Sequence, residues 1–324
     1  MKFRTEIDIA PLTRRIGYRH RIVSFGSCFA ETIAARLAAA KFRIVSNPTG
    51  ILFNPCSIAE TLRALHHRIP VQREALQHDG EQWFHFDFHG SFSDADADRA
   101  LAGMQAARVR GAEALAAADF VLLTFGTAWV YERDGRVVAN CHRQPAATFV
   151  RRRLTVEELV TSYRSLFETE LSDKQIILTV SPVRHIGDGL AENALSKAIL
   201  RVAAAELEAC CPHVHYFPSF EIVTDDLRDY RFYGDDLVHP SPQAVAYIWE
   251  KFAAAALDDE AQQLLPEIEA LATAAGHRPR NPHSAAHKAF CASCLQRIDA
   301  ICTVADVDFS DEREYFRRSL EINS

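Results

Sequence analysis

The sequence predicts a doubly wound α/β fold, a mostly parallel sheet covered by helices, with a helical extension at its C-terminal end. Short apolar runs rich in β-branched residues recur at 21–26, 43–46, 119–126, 175–180 and 214–218. Stretches of helical periodicity separate them, which is the alternation of a parallel sheet with crossover helices. The run Asp119 to Gly126 is apolar at nearly every position, as expected of a central strand covered on both faces. A chain of 324 residues with 48% hydrophobic and 24% charged residues is long enough for one large core.

Taken in order, Arg21 to Gly26 reads as a buried strand that breaks at a glycine just where a helix begins, its apolar face marked by Phe29, Ile33 and Leu37. Arg43 to Ser46 is a short second strand, and the prolines and glycine of Asn47 to Pro55 demand a loop. Ser57 to His67 reads as helix. Gln82 to Gly90 alternates aromatic and polar residues, predicting an inserted strand or hairpin, and Asp96 to Ala118 is a long alanine-rich helix. After the central strand, Asp134-Gly135 predicts a hairpin between 127–131 and 136–140. Thr155 and Glu158 have capping-box spacing ahead of a helix faced by Leu159, Tyr163, Leu166 and Phe167. Gln175 to Val180 is the next buried strand, followed by a helix whose Leu195, Ile199 and Val202 are expected to face inward. Ser241 and Pro242 fit the N-cap and first position of a helix faced by Val245, Ile248, Trp249 and Phe252. Residues 1–256 form the α/β unit, and 257–324, broken by the proline-rich Arg278 to Pro282, a helical extension of the same domain.

Candidate chemistry begins at the first turn. Ser27 stands between strand and helix, where helix N–H groups favour a developing oxyanion, and is the expected nucleophile. Cys28, one residue on, is the alternative, since a thiol at a helix N-terminus is intrinsically the better nucleophile. Far downstream, Asp236 precedes His239 by three residues, a spacing that lets a carboxylate hold Nδ1 and leave Nε2 free as a base.

These stretches, together with Asn47 to Pro55, Thr124 to Tyr131, Asn140-Cys141-His142, Ser181 to His185 and Asp236 to Ser241, resemble the GSCFA domain family, whose name is spelled by Gly26 to Ala30. That family is similar to the SGNH (GDSL-type) hydrolases. The resemblance implies a flavodoxin-like, SGNH-type sheet and a serine esterase or acyltransferase acting on a small or carbohydrate O-acyl ester, with Ser27, Asp236 and His239 as its catalytic residues. It also implies an oxyanion donor at Gly50. Where the wider superfamily carries a donor asparagine, this chain has Gly126-Thr127-Ala128-Trp129, so Thr127, Asn140 and His142 become the substituted oxyanion or substrate-binding candidates. A non-catalytic ligand-binding protein on the same scaffold is the alternative from another class.

Composition narrows the partners. The net charge of −7, with only Arg151-Arg152-Arg153 as a dense basic cluster, is read as a solvated helix entrance and argues against nucleic acid and membrane surfaces. No cofactor is expected. Cys291 and Cys294 with His283 and His287, or alternating His85, Asp87 and His89, have metal-ligand chemistry, but the plainer reading of each is structural. The acidic N-terminus without an apolar run, and eight cysteines without framework spacing, predict a cytoplasmic protein with free thiols.

Overall fold

The computed structural model describes residues 4–321. Strands β1 (Arg21–Gly26) and β2 (Arg43–Ser46) are joined by helix α1 (Cys28–Ala39). Helix α2 (Pro55–His66), the short antiparallel pair β3 (Gln77–His78) and β4 (Trp83–Phe84), and helix α3 (Ala97–Ala117) lead to β5 (Phe120–Phe125). There follow β6 (Trp129–Arg133), β7 (Arg136–Val138), β8 (Val150–Arg153), α4 (Val156–Glu168), β9 (Gln175–Val180), α5 (Leu190–Cys210) and β10 (Val214–Tyr216). A single turn α6 (Ser219–Glu221) precedes α7 (Pro242–Ala256), α8 (Asp259–Gly276), α9 (Ala285–Val304) and α10 (Ser310–Glu321).

The central sheet runs β10-β9-β5-β1-β2 and every pairing is parallel. Counting only these strands in chain order, the arrangement is 2-1-3-4-5, the flavodoxin-like order. The chain leaves β1 toward one edge of the sheet, for β2, and returns to the other side of β1 at β5. The carboxyl ends of β1 and β5 therefore splay apart at a topological switch point, where open α/β sheets bind ligands. All six residues of β5 are buried, as its continuous apolar run requires. One face of the sheet packs on α2, α4 and α5, with Phe125, Tyr163 and Phe167 in edge-on ring contacts. The other face shares its core with α1, α7 and the C-terminal helices: Ile33, Trp249, Ile268, Ile298 and Phe316 belong to one buried cluster.

Local signals explain the boundaries. The capping box of α4 is formed in both directions, Thr155 Oγ accepting from the Glu158 N–H and the Glu158 carboxylate from the Thr155 N–H. Asp134 and Gly135 both have positive φ in the β6–β7 hairpin, as a two-residue turn of this type requires. Ser241 caps α7 with Pro242 behind it.

Three expectations need correcting. On α5 the buried face is Asn193, Ser196, Lys197, Leu200, Ala203, Ala204 and Leu207, while Leu195 and Val202 are exposed. Small and polar residues face inward because the top of this helix meets the ends of strands, which present carbonyls as well as side chains. Arg151, Arg152 and Arg153 belong to strand β8 instead of a helix entrance, and are paired with Asp188, Glu132 and Glu158, and Glu192 respectively. The aromatic insert pairs only at Trp83–Phe84; beyond them His85 and His89 bond the backbone N–H two residues on and turn the chain.

Candidate active site at the switch point

The site starts at Gly26. Its φ is +146°, and a Cβ there would lie 2.4 Å from the Thr124 carbonyl oxygen, so only glycine lets β1 turn this close to β5. The Gly26 N–H donates to Asn47 Oδ1 at 2.9 Å, tying the turn to the loop after β2. Ser27 is the N-cap of α1 in extended conformation, with no side-chain cap bond. Its side chain is buried and its hydroxyl has no hydrogen-bond partner. Cys28, the first helical residue, is half-buried.

The second half is the loop from Tyr233 to Pro240, closed by a bridge between those two residues and by the Gly234 N–H donating to the His239 carbonyl at 2.7 Å. Leu237 takes the left-handed conformation at φ 58° to complete the turn. Asp236 Oδ1 accepts from the Val238 N–H at 2.9 Å and the His239 N–H at 3.0 Å, and Oδ2 accepts from His239 Nδ1 at 2.7 Å. The His239 N–H, the His239 ring and the Val238 N–H together hold the Asp236 carboxyl down to about 2. With its proton on Nδ1, the ring turns Nε2 to Cys28 Sγ at 3.4 Å. The Asp236–His239 pair expected from spacing is thus assembled, but the side chain that meets its Nε2 is Cys28, and Ser27 makes no hydrogen bond to it. The cause is local geometry: the extended N-cap turns the Ser27 side chain into the protein, whereas the first helical residue faces the loop before α7.

Burial pushes the Cys28 thiol up, partly offset by the N–H groups of Phe29 and of Cys28 itself and by the charge of Lys197. The segment after β9 lines the same edge. The Arg184 guanidinium lies 3.8 Å from the centre of the Tyr233 ring, and the Arg184 N–H donates to the Val238 carbonyl at 3.2 Å. Burial, then the charge of Lys197, brings His185 down to about 4, so its ring is neutral at physiological pH. Lys197 was not anticipated. It is 1% exposed, and Nζ donates to the carbonyls of Gly126 and Ser181, each at 2.6 Å. The usable signal was its place in the stripe Asn193, Ser196, Lys197, Leu200, which spaces like a buried face once charge is ignored.

The remaining candidates do other work. The Gly50 N–H donates to the Asn47 carbonyl at 2.8 Å, which closes a tight turn and leaves no free donor there for an oxyanion. What demands glycine at 50 is a φ of +90° and the His89 side chain against its Cα. Thr127 Oγ1 bonds the Trp129 N–H and the Ser196 hydroxyl, fastening the turn after β5 to α5. Asn140 Oδ1 accepts from the His142 N–H, an Asx turn, and its own N–H donates to the Phe86 carbonyl. His142 stacks on Phe84 and bonds the His85 carbonyl. Both residues hold the aromatic insert, and neither bonds Cys28, Asp236 or His239. No group of three metal-ligating side chains occurs among the described residues. His85, Asp87 and His89 are used within the insert, with Asp87 paired to Arg136. Cys291 and Cys294 are buried on α9, where Cys291 Sγ lies 3.5 Å from His287 Nε2.

The model of the GSCFA family matches residues 21–252, from the first residue of β1 into α7. The chain belongs to the GSCFA family. That match spans every strand of the sheet and both halves of the site, and the model described as the C-terminal domain of GSCFA domain proteins matches residues 268–322, from within α8 to the end of α10. No curated protein and no solved structure matches the chain. Among the described residues no helix is long and apolar enough to cross a membrane.

Proposed function

We propose that this GSCFA protein is a thiol-dependent acyl-transfer enzyme, a hydrolase or transferase of small O-acyl esters, in which Cys28 is the nucleophile, His239 the general base and Asp236 the residue that orients the base. One observation carries the reading: His239 Nε2 approaches Cys28 Sγ at 3.4 Å while Asp236 holds the opposite ring nitrogen at 2.7 Å. Because burial keeps the thiol protonated at neutral pH, it needs a base within reach, and the ring supplies one.

In the proposed reaction Cys28 Sγ bonds to the ester carbonyl carbon as its proton moves to Nε2, and the carbonyl electron pair goes onto oxygen. Collapse expels the alkoxide, which takes the proton back from Nε2 and leaves a thioester on Cys28. Water or an acceptor hydroxyl then attacks that thioester, with His239 again the base. The imidazolium formed in each step is stabilised by the ionised Asp236. The first N–H groups of α1 have no acceptor within the helix and favour negative charge at this point. The order of motifs along the chain supports an SGNH-type scaffold, with a thiol in place of the serine. Carbohydrate O-acyl groups are the proposed substrates by analogy with that scaffold.

The test is iodoacetamide labelling with peptide mapping, run beside turnover of a panel of activated esters and acetylated sugars. Cys28 is expected to react fastest of the cysteines, with turnover lost in Cys28→Ala and kept in Ser27→Ala. Turnover lost only in Ser27→Ala restores the serine reading. A site whose Cys28 is unreactive, with no turnover by any variant, is a binding site instead.

A further inference from the structure

We propose that Lys197 is a positioning residue of this site, a buried cation that favours the Cys28 thiolate from beneath the edge of the sheet; the proposal rests on the thiol reading above. Strand register places it. Gly26 pairs with Thr124, and Phe125 with Val180, so Cys28, Gly126 and Ser181 all follow just beyond the carboxyl ends of three neighbouring strands, β1, β5 and β9. An ammonium held between the Gly126 and Ser181 carbonyls therefore lies one to two strand spacings from Cys28, on the order of 5–10 Å.

Burying an ammonium is costly unless its protons are bonded and its charge is used. Two short bonds to carbonyls satisfy the first condition, yet a neutral amide could make similar bonds without the burden of charge. Cys28 meets the second condition, as the ionisable group whose charge acts on Lys197. The influence is mutual, since Lys197 opposes the burial that raises the thiol, while Glu31 on α1 acts the other way. His185, after β9, is kept neutral first by burial and then by this charge. The sheet edge thus carries a positive centre at the ends of β5 and β9, beside the strand end from which Cys28 departs. Burial brings Lys197 to about 7, so the centre is charged below neutrality and fades above it.

The experiment measures carboxamidomethylation of Cys28 by iodoacetamide against pH in the full chain and in Lys197→Met, with the adduct mapped and the fold checked by circular dichroism. Two charges at this separation in a partly buried site shift an ionisation by about one pH unit or more, so labelling at neutral pH should fall roughly tenfold in the variant. A folded Lys197→Met whose Cys28 profile superimposes on the parent overturns the proposal. If the variant does not fold, Lys197→Arg is measured in its place: its cation persists where the Lys197 ammonium fades, so Cys28 labelling should rise above the parent's in mildly alkaline solution, and a profile that superimposes on the parent overturns the proposal equally. The two readings separate cleanly: Lys197-dependent labelling without ester turnover sinks acyl transfer alone, and turnover with Lys197-independent labelling sinks this inference alone.

Discussion

Replacing Asp236 by Asn changes few atoms and tests the whole chain of contacts behind the proposed base. Asp236 accepts three hydrogen bonds, two from backbone N–H groups and one from the imidazole. An asparagine can keep Oδ1 on the backbone donors only by presenting its NH₂ to Nδ1, which drives the ring proton to Nε2. That proton would then face Cys28 Sγ, and no lone pair would remain to take the thiol proton. The imidazolium formed during attack also loses its counter-charge. Because the side chains of Asp236 and His239 are 51% and 52% exposed, solvent screens that counter-charge and its loss is the smaller of the two effects. Adding the wrong tautomer, kcat/KM should fall about 10²- to 10³-fold, less than the 10⁴ typical of a fully buried triad carboxylate. The assay is kcat/KM on an activated ester together with the Cys28 alkylation rate, and both should drop while the thermal melt stays close to the parent. A loss of less than threefold in both would refute the orienting role of Asp236.

Other outcomes follow from the same structure. Asp236, held down to about 2, stays ionised throughout mildly acidic solution, so it should add no step to the pH profile of kcat/KM above pH 4; an acid-side step in that range that disappears in Asp236→Asn would contradict this. Gly26→Ala should be strongly destabilising and inactive, since its Cβ meets the Thr124 backbone and no side chain can move aside; a melt like the parent's would show that the turn can relax. Phe125→Ala, in the middle of the buried sheet and against Tyr163, should cost about 3–5 kcal/mol in urea unfolding. Thr155→Ala and Glu158→Ala each break the capping box of α4 and should cost about 1 kcal/mol apiece, with the double variant costing less than the sum.

The sheet was legible because its code is local. Five apolar β-branched runs of strand length, separated by helical periodicity, mark a parallel sheet wherever they occur, and the caps at Thr155 and Ser241 mark helix starts through contacts within one turn. Asp236 and His239 were legible for the same reason, since three residues of loop bring a carboxylate to an imidazole without help from the rest of the molecule.

Tertiary structure decided what the imidazole touches. Ser27 and Cys28 are adjacent in the chain, and only the φ of Gly26, the extended N-cap and the direction from which the His239 loop arrives, 211 residues away, bring the thiol to Nε2 and leave the hydroxyl buried. Asn140 and His142 were placed by a hairpin correct in position, yet the His85 carbonyl of the aromatic insert that captures His142 comes from 57 residues earlier, and hydropathy carries no trace of that contact. Lys197 is the extreme case. Sequence assigns a lysine on an amphipathic helix to the solvent side, and only the folded sheet shows two strand-end carbonyls beneath it, because the need to satisfy those groups arises when the strands come together. Periodicity thus determined which segments pair and pack. The identity of the atoms meeting at the strand ends depended on distances between segments remote in the chain, which no local pattern encodes.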